Sequence, residues 1–277
     1  MEKGKRRWIV DISLWSPSVD EFSSIKDFLT PHDCSAINSF VRFEDRKRAL
    51  VSRLLQYSLL HEVFGLPINR IIIDRTALGK PYLKNEEVAL FPNFNFSLSH
   101  HGKYIGIASE PLYLVGFDIV SHDTHYKEAG LDFINSFASH FTTSEWEDIN
   151  STDSPDKALV YFYNYWSLKE AFIKAIGAGL GYGLQRLDFH HVNWAEISVY
   201  IDGVESKDWR FWHFQIDQKH WASLARGLPR YASEGSDETP STVGHEVHDC
   251  WNELQVPDEE FRFMKVVELI RALKEEA

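Results

Sequence analysis

The chain has 277 residues, 44% of them hydrophobic and 14% aromatic, which is enough for one large domain or two smaller lobes with packed cores. Its formal net charge is −12, but twelve acidic and four basic residues follow Arg230, so the tail carries −8 and the rest of the chain −4. Net acidity argues against a nucleic-acid partner, although most of it belongs to the C-terminal tail and the body is closer to neutral.

No apolar run approaches the roughly 18 residues that a membrane span requires. The basic cluster at residues 3–7 is not followed by the apolar core of a signal peptide. We therefore expect a soluble, cytoplasmic protein with no membrane partner. Cys34 and Cys250 lie far apart and lack metal-ligand spacing, so the sequence indicates neither a disulfide framework nor a zinc site.

Three segments have helical patterns. The first covers residues 43–64, is rich in Arg early and in Leu late, and has Gly65 as its predicted C-cap. The second covers residues 155–176 and carries aromatic and apolar side chains on most of its faces, which is typical of an enclosed helix. The third covers residues 257–274.

Short strands are predicted around the two long helices, each bounded by Gly, Pro, Asp or His. They cover residues 70–76, 104–109, 114–120, 197–201, 210–217 and 221–226. This clustering favours an α+β protein over a doubly wound parallel sheet. We predict two similar lobes related by a pseudo-twofold axis, each a small, mainly antiparallel sheet packed on a long helix, plus a C-terminal helix.

The predicted limits are 8–125 for the N-terminal lobe, 126–230 for the C-terminal lobe, 231–256 for a linker and 257–276 for the C-terminal helix. The linker assignment depends on the Gly, Ser, Asp, Glu, Thr and Pro content of residues 233–242.

Two polar turns come first among the segments that could carry chemistry. Residues 74–81 combine a glycine turn with Arg75 and Lys80, a mixture that could hold a nucleotide or form only a charged hairpin. Residues 93–104 combine hydroxyls, imidazoles, a glycine and an amine, as expected where a loop hydrogen-bonds a phosphate. The alternative for this second segment is an ordinary turn.

A lone acid follows in an apolar strand. In residues 114–120 the side chains alternate, so that Gly116 and Asp118 face away from Val115 and Phe117. Asp118 is interpreted as a Mg²⁺ ligand paired with Glu170, because this cation at phosphate sites takes one or two carboxylates together with phosphate oxygens and waters. The alternative is an Asp that ends an edge strand.

The second long helix sets Trp166, Glu170 and Lys174 at four-residue steps, and hence on one face. Charged groups in a nearly apolar helix rarely lack partners, so this stripe suggests a metal or phosphate site. The alternative is a weak i,i+4 ion pair on a solvent face.

Five ordered motifs together resemble those of the 4'-phosphopantetheinyl transferases. They are Gly79-Lys80-Pro81, Phe96-Ser-Leu-Ser99-His100, Val115-Gly-Phe-Asp118, Phe141-Thr-Thr-Ser-Glu145-Trp146 and Trp166-Ser-Leu-Lys169-Glu170 with Lys174. The resemblance is to the double-lobed, surfactin-type branch, and especially to its eukaryotic members in lysine biosynthesis. It covers roughly residues 8–226.

The resemblance implies a holo-[acyl-carrier-protein] synthase (EC 2.7.8.7). Such a transferase uses coenzyme A and Mg²⁺, moves phosphopantetheine to a serine of an apo acyl or peptidyl carrier domain, and releases adenosine 3',5'-bisphosphate. It further implies that Asp118 and Glu170 hold Mg²⁺, that Lys174 steadies the leaving bisphosphate, and that His100 and Ser99 donate to phosphate oxygens. The implied catalytic residues are Glu170, Lys174 and His100. The residues implied to seat the nucleotide end are Arg75, Gly79, Lys80, Pro81 and Lys169.

The resemblance also bears on partners. An α-aminoadipate reductase carrier domain is the favoured client, with fatty-acid, nonribosomal and polyketide synthases as further candidates. A monomer is expected, because the site lies between two joined lobes. The alternative function is a catalytically silent module that binds coenzyme A or a carrier protein.

Two departures from the family pattern support that alternative. Val120 stands where bacterial relatives have a second acid, which leaves Glu170 or a metal-bound water as the general base. Cations expected near residues 34–36 for the 3'-phosphate are missing. We expect Arg42, Arg46, Lys47 or Arg48 to replace them.

Overall fold

The computed structural model describes residues 2–122, 130–231, 254, 258 and 260–274. Seven α-helices lie in these ranges: α1 (Val19–Lys26), α2 (Pro31–Asn38), α3 (Phe43–Phe64), α4 (Gly130–Asn135), α5 (Thr143–Asn150), α6 (Pro155–Ile176) and α7 (Val266–Lys274).

Twelve strands lie in the same ranges. They are β1 (Arg6–Asp11), β2 (Ile73–Arg75), β3 (Pro81–Leu83), β4 (Asn95–His101), β5 (Tyr104–Glu110), β6 (Leu114–Ser121), β7 (Leu187–Val192), β8 (Ala195–Ile201), β9 (Val204–Ser206), β10 (Trp209–Gln215), β11 (His220–Gly227) and β12 (Arg262–Met264).

The first lobe packs α3 on a four-stranded sheet of order β12-β1-β5-β4. β1 and β4 are both antiparallel to β5, and the short β2–β3 hairpin lies beside them. Leu50, Leu54 and Leu59 of α3 are fully buried against this sheet. The burial of such apolar side chains is the main stabilising term for this lobe.

The second lobe packs α6 on a three-stranded antiparallel sheet of order β10-β11-β6. A further antiparallel sheet, β7-β8-β9, closes one end of its core. Phe172 of α6 and Trp209 of β10 meet with ring centroids 4.5 Å apart. The predicted α+β architecture of two lobes, each with a long helix on a small antiparallel sheet, is thus confirmed.

Both long helices have the predicted limits, and each ends at a left-handed glycine. Gly65 and Gly177 have φ of 70° and 71°, and their N–H groups bond to carbonyls of the preceding turn. Glycine adopts this conformation without the Cβ penalty of other residues, which is why the sequence marks these ends clearly. All six predicted strands are present, with small shifts at their ends, whereas β1, β3, β4, β7, β9 and β12 were not predicted.

Two predicted limits are wrong. β6 hydrogen-bonds to β11 of the second lobe, so the lobes divide before Leu114 rather than at residue 125. The C-terminal helix starts at Val266 rather than at residue 257, because residues 262–264 form β12 and extend the first sheet in parallel with β1. Most of the predicted linker lies outside the described residues.

The C-terminal segment packs against the first lobe. Four apolar residues of α7 belong to the first core: Val266, Leu269, Ile270 and Leu273. Asp258 accepts a hydrogen bond from Arg7 at 3.1 Å and pairs with Lys5 at 2.8 Å. This segment is therefore an integral layer of the first lobe.

Among the described helices, none combines the length and apolarity needed to cross a bilayer.

Candidate active site

The two lobes meet along β4 and β6. Here side chains of β4, and not its backbone carbonyls, accept hydrogen bonds from the backbone of β6. Alternate polar residues of β4 accept the backbone N–H groups of β6. The pairs are Asn95 with Val115 at 2.9 Å, Ser97 with Phe117 at 3.0 Å and Ser99 with Ile119 at 3.1 Å. Both members advance by two residues at each step, so the strands run parallel. Each buried N–H group is satisfied without a regular sheet.

Asp118 lies at this seam, with a carboxylate held from both lobes. Its Oδ1 accepts a hydrogen bond from Ser99 Oγ of β4 at 3.0 Å and from Lys174 Nζ of α6 at 2.6 Å. The same ammonium also donates to Ser99 Oγ at 3.1 Å. Asp118 is only 6% exposed. The carboxylate is thus paired, as a buried charge must be, and the alternative of an Asp that merely ends an edge strand does not hold.

A glycine brings α6 against β6. A Cβ on Gly116 would lie 1.8 Å from the carbonyl oxygen of Ala171, so only glycine permits this helix–strand distance. Two residues further along β6, Asp118 therefore lies close to the last turns of α6. Glu170 and Lys174 face it there, as the four-residue spacing predicted.

Glu170 is the second carboxylate of the site. Burial raises its pKa above the ordinary value, the charge of Asp118 raises it further, and Lys174 lowers it. The two carboxylates are therefore within electrostatic reach. No hydrogen bond or ion pair to Glu170 is found in the part of the chain that the structure describes.

Two carboxylates within electrostatic reach of each other, one of them in no direct ion pair with the described residues, suit a hard divalent cation with oxygen ligands. Among the described residues there is no group of three or more His, Cys, Asp or Glu side chains that could hold a metal. A cation bound between Asp118 and Glu170 would therefore take its remaining ligands from substrate oxygens and water.

Two cavities open on either side of this pair. The first, of about 340 Å³, is lined by Ser99, His100, Asp118, Tyr163 and Trp166. Both cavities also share Leu98, Glu170 and Lys174 as walls. Because these walls are common, one extended ligand could occupy both cavities and pass Glu170 and Lys174 between them.

The second cavity, of about 300 Å³, is lined from the first lobe by Arg75, Gly79, Lys80 and Pro81. Its lining also includes four apolar residues, namely Leu78, Phe96, Ile173 and Leu180. Arg75 donates to the carbonyl of Gly79 at 2.7 Å, which fixes the turn between β2 and β3. The predicted nucleotide-seating residues Arg75, Gly79 and Pro81 are thus brought together.

His100 lies at the mouth of the first cavity and is exposed. Partial desolvation lowers its pKa, and the nearby cations Lys174 and Arg48 lower it further. The imidazole is therefore neutral at neutral pH, and it retains one N–H donor.

Lys169 lies outside both cavities, so the structure does not bring it together with the other predicted nucleotide-binding residues. Its ammonium is fully buried in the second lobe, where it pairs with Glu145 at 2.8 Å and donates to the carbonyls of Leu184 and Leu187. The helical periodicity explains this position. Lys169 precedes Glu170 by one residue, a turn of about 100° that points it into the core rather than into the cleft.

The cations suggested as replacements at the 3'-phosphate are also engaged elsewhere. Lys47 is buried and donates to the carbonyl of Trp15 at 3.1 Å. Arg46 donates to Phe40, and Arg48 donates to Gly102 while pairing with Asp45. None of these, nor Arg42, lines the second cavity.

Neither the apolar lining of the two cavities nor the polar seam was predicted from the sequence. The alternation of Asn95, Ser97 and Ser99 with apolar residues was visible in the sequence. It predicts a strand with one polar edge. Leu78 and Leu180 had no such signal, because single exposed apolar residues are common on protein surfaces.

Each of the two lobes matches a known protein family. Residues 13–112 match the family described as "4'-phosphopantetheinyl transferase, N-terminal". Residues 114–225 match the family described as "4'-phosphopantetheinyl transferase superfamily". The division between the two matches falls immediately before β6, where the sheets divide.

Three known proteins illustrate the likeness. The human L-aminoadipate-semialdehyde dehydrogenase-phosphopantetheinyl transferase is 37% identical over 231 residues, which cover 80% of this chain and 75% of that protein. The phosphopantetheinyl transferase of Thraustochytrium sp. is 31% identical over 265 residues, covering 91% and 86%. A holo-(acyl-carrier-protein) synthase from Bacillus anthracis, solved in complex with CoA (3',5'-ADP), aligns with 42% of this chain and 97% of its own at 13% identity and a TM-score of 0.35.

Proposed function

Because this chain belongs to the 4'-phosphopantetheinyl transferase superfamily, we propose that it moves the 4'-phosphopantetheine group of coenzyme A to a serine hydroxyl of an apo carrier domain. The serine oxygen forms a bond to the β-phosphorus of coenzyme A, and the diphosphate P–O bond breaks. Adenosine 3',5'-bisphosphate leaves, and the serine proton is released. The nucleophile belongs to the carrier, so none is required from this chain.

One observation carries the proposal: Asp118 and Glu170, from different elements, share one cleft with Lys174 and Ser99. A diphosphate laid across this cleft would join the two cavities. On one side, Arg75, Gly79 and Pro81 would seat the nucleotide. On the other, Tyr163 and Trp166 border the space left for the pantetheine arm and the carrier serine.

Asp118 and Glu170 would hold Mg²⁺, which in phosphoryl transfer neutralises charge on the bridging phosphate oxygens. The raised pKa of Glu170 fits this role, because a cation would relieve its repulsion from Asp118. Val120, where bacterial relatives have an acid, supplies no third carboxylate.

Lys174 would stabilise the leaving bisphosphate. Its ammonium lies between Asp118 and Ser99, and it is the cation of α6 that lines both cavities. Bound diphosphate would compete with Asp118 for this ammonium, whose charge then acts where negative charge accumulates. His100, neutral with one N–H donor, would hydrogen-bond a phosphate oxygen at the mouth.

The favoured client is a carrier domain of the aminoadipate-reducing type, because the human relative is named for L-aminoadipate-semialdehyde dehydrogenase. Carrier domains of fatty-acid, nonribosomal and polyketide synthases are further candidates. We propose that the protein acts in the cytoplasm as a monomer.

The decisive test incubates the protein with coenzyme A, Mg²⁺ and an apo carrier domain. Transfer should add about 340 Da to the carrier serine, detected by intact-protein mass spectrometry. Asp118→Ala, folded by circular dichroism, is the matched negative control. No mass gain on several carrier classes would overturn the proposal. If calorimetry then still detected coenzyme A binding, the protein would be a silent binding module.

A further inference from the structure

Lys80 makes an unusual set of contacts for a lysine at a nucleotide cavity. Its Nζ donates to the carbonyl oxygen of Ala175 at 2.6 Å, to Asn95 Oδ1 at 3.2 Å and to the carbonyl oxygen of Val115 at 3.3 Å. An ammonium has three protons, so these three acceptors use its whole donor capacity. The structure therefore leaves this ammonium no free donor for a phosphate.

The three acceptors belong to three different elements. Asn95 is the first residue of β4, Val115 lies at the start of β6, and Ala175 is in the last turn of α6. The carbonyl of Ala175 is one of the four that lack an intrahelical partner at a helix C-terminus, where a cation is also favoured by the helix dipole. Lys80 itself follows the Gly79 turn. One side chain thus connects the rim of the nucleotide cavity to both lobes.

The stem of Lys80 is enclosed as well. It lies so close to the C-cap of α6 that a Cβ on Gly177 would be 3.2 Å from Lys80 Cδ. Burial lowers the pKa of Lys80, which agrees with an amine removed from solvent. Arg75 contrasts with it, because its guanidinium donates one hydrogen bond to the carbonyl of Gly79 and has further N–H donors at the cavity.

We propose that Lys80 is a positioning residue, which ties the Gly79 turn to the end of α6 and so sets the distance across the nucleotide cavity. Lys80 acts through these neighbours and does not contact the phosphates of the substrate. The substrate in this inference is the coenzyme A of the proposed function.

The first test compares Lys80→Met, which retains the stem and loses the donors, with Arg75→Met. For Lys80→Met we expect KM for coenzyme A to rise roughly tenfold, with kcat and KM for the carrier changed less than about twofold. The same rise is expected with 3'-dephospho-coenzyme A, since no phosphate contact is lost. Arg75→Met should instead reduce the preference of the enzyme for coenzyme A over 3'-dephospho-coenzyme A. A Lys80→Met protein that loses this preference would show that Lys80 is a phosphate ligand.

A second measurement uses the unmodified protein and depends on no activity. Amine acetylation by a water-soluble acylating reagent, followed by peptide mass spectrometry, reports the access of each lysine. We expect Lys80 to react at least tenfold more slowly than the exposed Lys157 both with and without coenzyme A. Rapid labelling of free protein with protection by coenzyme A would overturn the inference. Slow labelling of Lys80 in a protein that shows no transferase activity would support the Lys80 contacts with α6 and refute the proposed function.

Discussion

Lys174 Nζ lies 2.6 Å from Asp118 Oδ1, and this contact joins the last turns of α6 to the strand at the lobe seam. The ammonium neutralises one of the two site carboxylates. It is therefore already in place when a diphosphate arrives, and the reorganisation needed for charge stabilisation is small.

Replacement of this cation should impair both activity and stability. In Lys174→Met the buried Asp118 keeps, among the described residues, only the hydrogen bond from the Ser99 hydroxyl. We therefore expect kcat to fall about 10²- to 10³-fold and stability to fall by ~1–3 kcal/mol. The matched control is Lys157→Met on the same helix, whose exposed i,i+4 pair with Asp153 should contribute less than ~0.5 kcal/mol. Steady-state kinetics and urea unfolding would measure both. Wild-type kcat in Lys174→Met would contradict the assigned role.

Glu170→Gln should remove activity yet stabilise the fold. The folded-state pKa of Glu170 is raised above its unfolded value, so its favourable contribution is complete below the ordinary carboxyl pKa and is lost as pH rises through the folded value. The glutamine variant avoids that loss. At neutral pH we expect its Tm to exceed that of the parent by about 2–4 °C, with little difference near pH 4. Calorimetric scans across this pH range test the sign, and a lower Tm at pH 7 would refute it.

Lys169→Met should destabilise the second lobe without a specific effect on coenzyme A. The substitution leaves Glu145 buried with only backbone donors, an arrangement that typically costs about 3–5 kcal/mol. The double variant Glu145→Gln/Lys169→Met should recover much of this loss, because no unpaired charge remains. Urea unfolding gives the stabilities, and KM for coenzyme A should stay within about twofold. A raised KM in a stable Lys169→Met protein would restore the nucleotide role.

Gly116→Ala should move α6 away from β6, and these two elements carry the site residues. The added methyl would overlap the Ala171 carbonyl, so α6 must move away from β6. We expect a loss of about 2–4 kcal/mol and at least tenfold lower kcat/KM. Gly181→Ala is the control, since its Cβ would meet no atom within 4 Å. Comparable behaviour of the two variants would show that the close approach is unnecessary.

The C-terminal helix should be essential to the first lobe. Leu269 is 1% exposed in the first core, whereas Val267 on the same helix is 53% exposed. Leu269→Ala is therefore expected to cost about 2–5 kcal/mol, and Val267→Ala less than ~0.5 kcal/mol. Removal of all residues after Arg230 should prevent stable folding. Thermal unfolding of the three proteins tests this, and a truncated protein with parental Tm would show the segment to be dispensable.

Several features could be predicted from the sequence alone because local signals determine them. Gly65 and Gly177 mark the ends of α3 and α6, since a left-handed C-cap strongly favours glycine. The four-residue spacing of Trp166, Glu170 and Lys174 places them on one helix face whatever surrounds the helix. The lone Asp118 in an apolar strand likewise required a partner, and the partner is present.

Only the tertiary structure decided which cations face the cleft. Lys169 and Lys80 belong to the same family motifs as Glu170 and Gly79. The ammonium of Lys169 is nevertheless buried against Glu145, and that of Lys80 donates to three carbonyl-type acceptors. Their roles depend on groups that are distant in sequence, and no local pattern encodes such contacts. The pairing of β12 with β1, and of β6 with β11, has the same origin, because strand partners are chosen by the global burial of apolar faces.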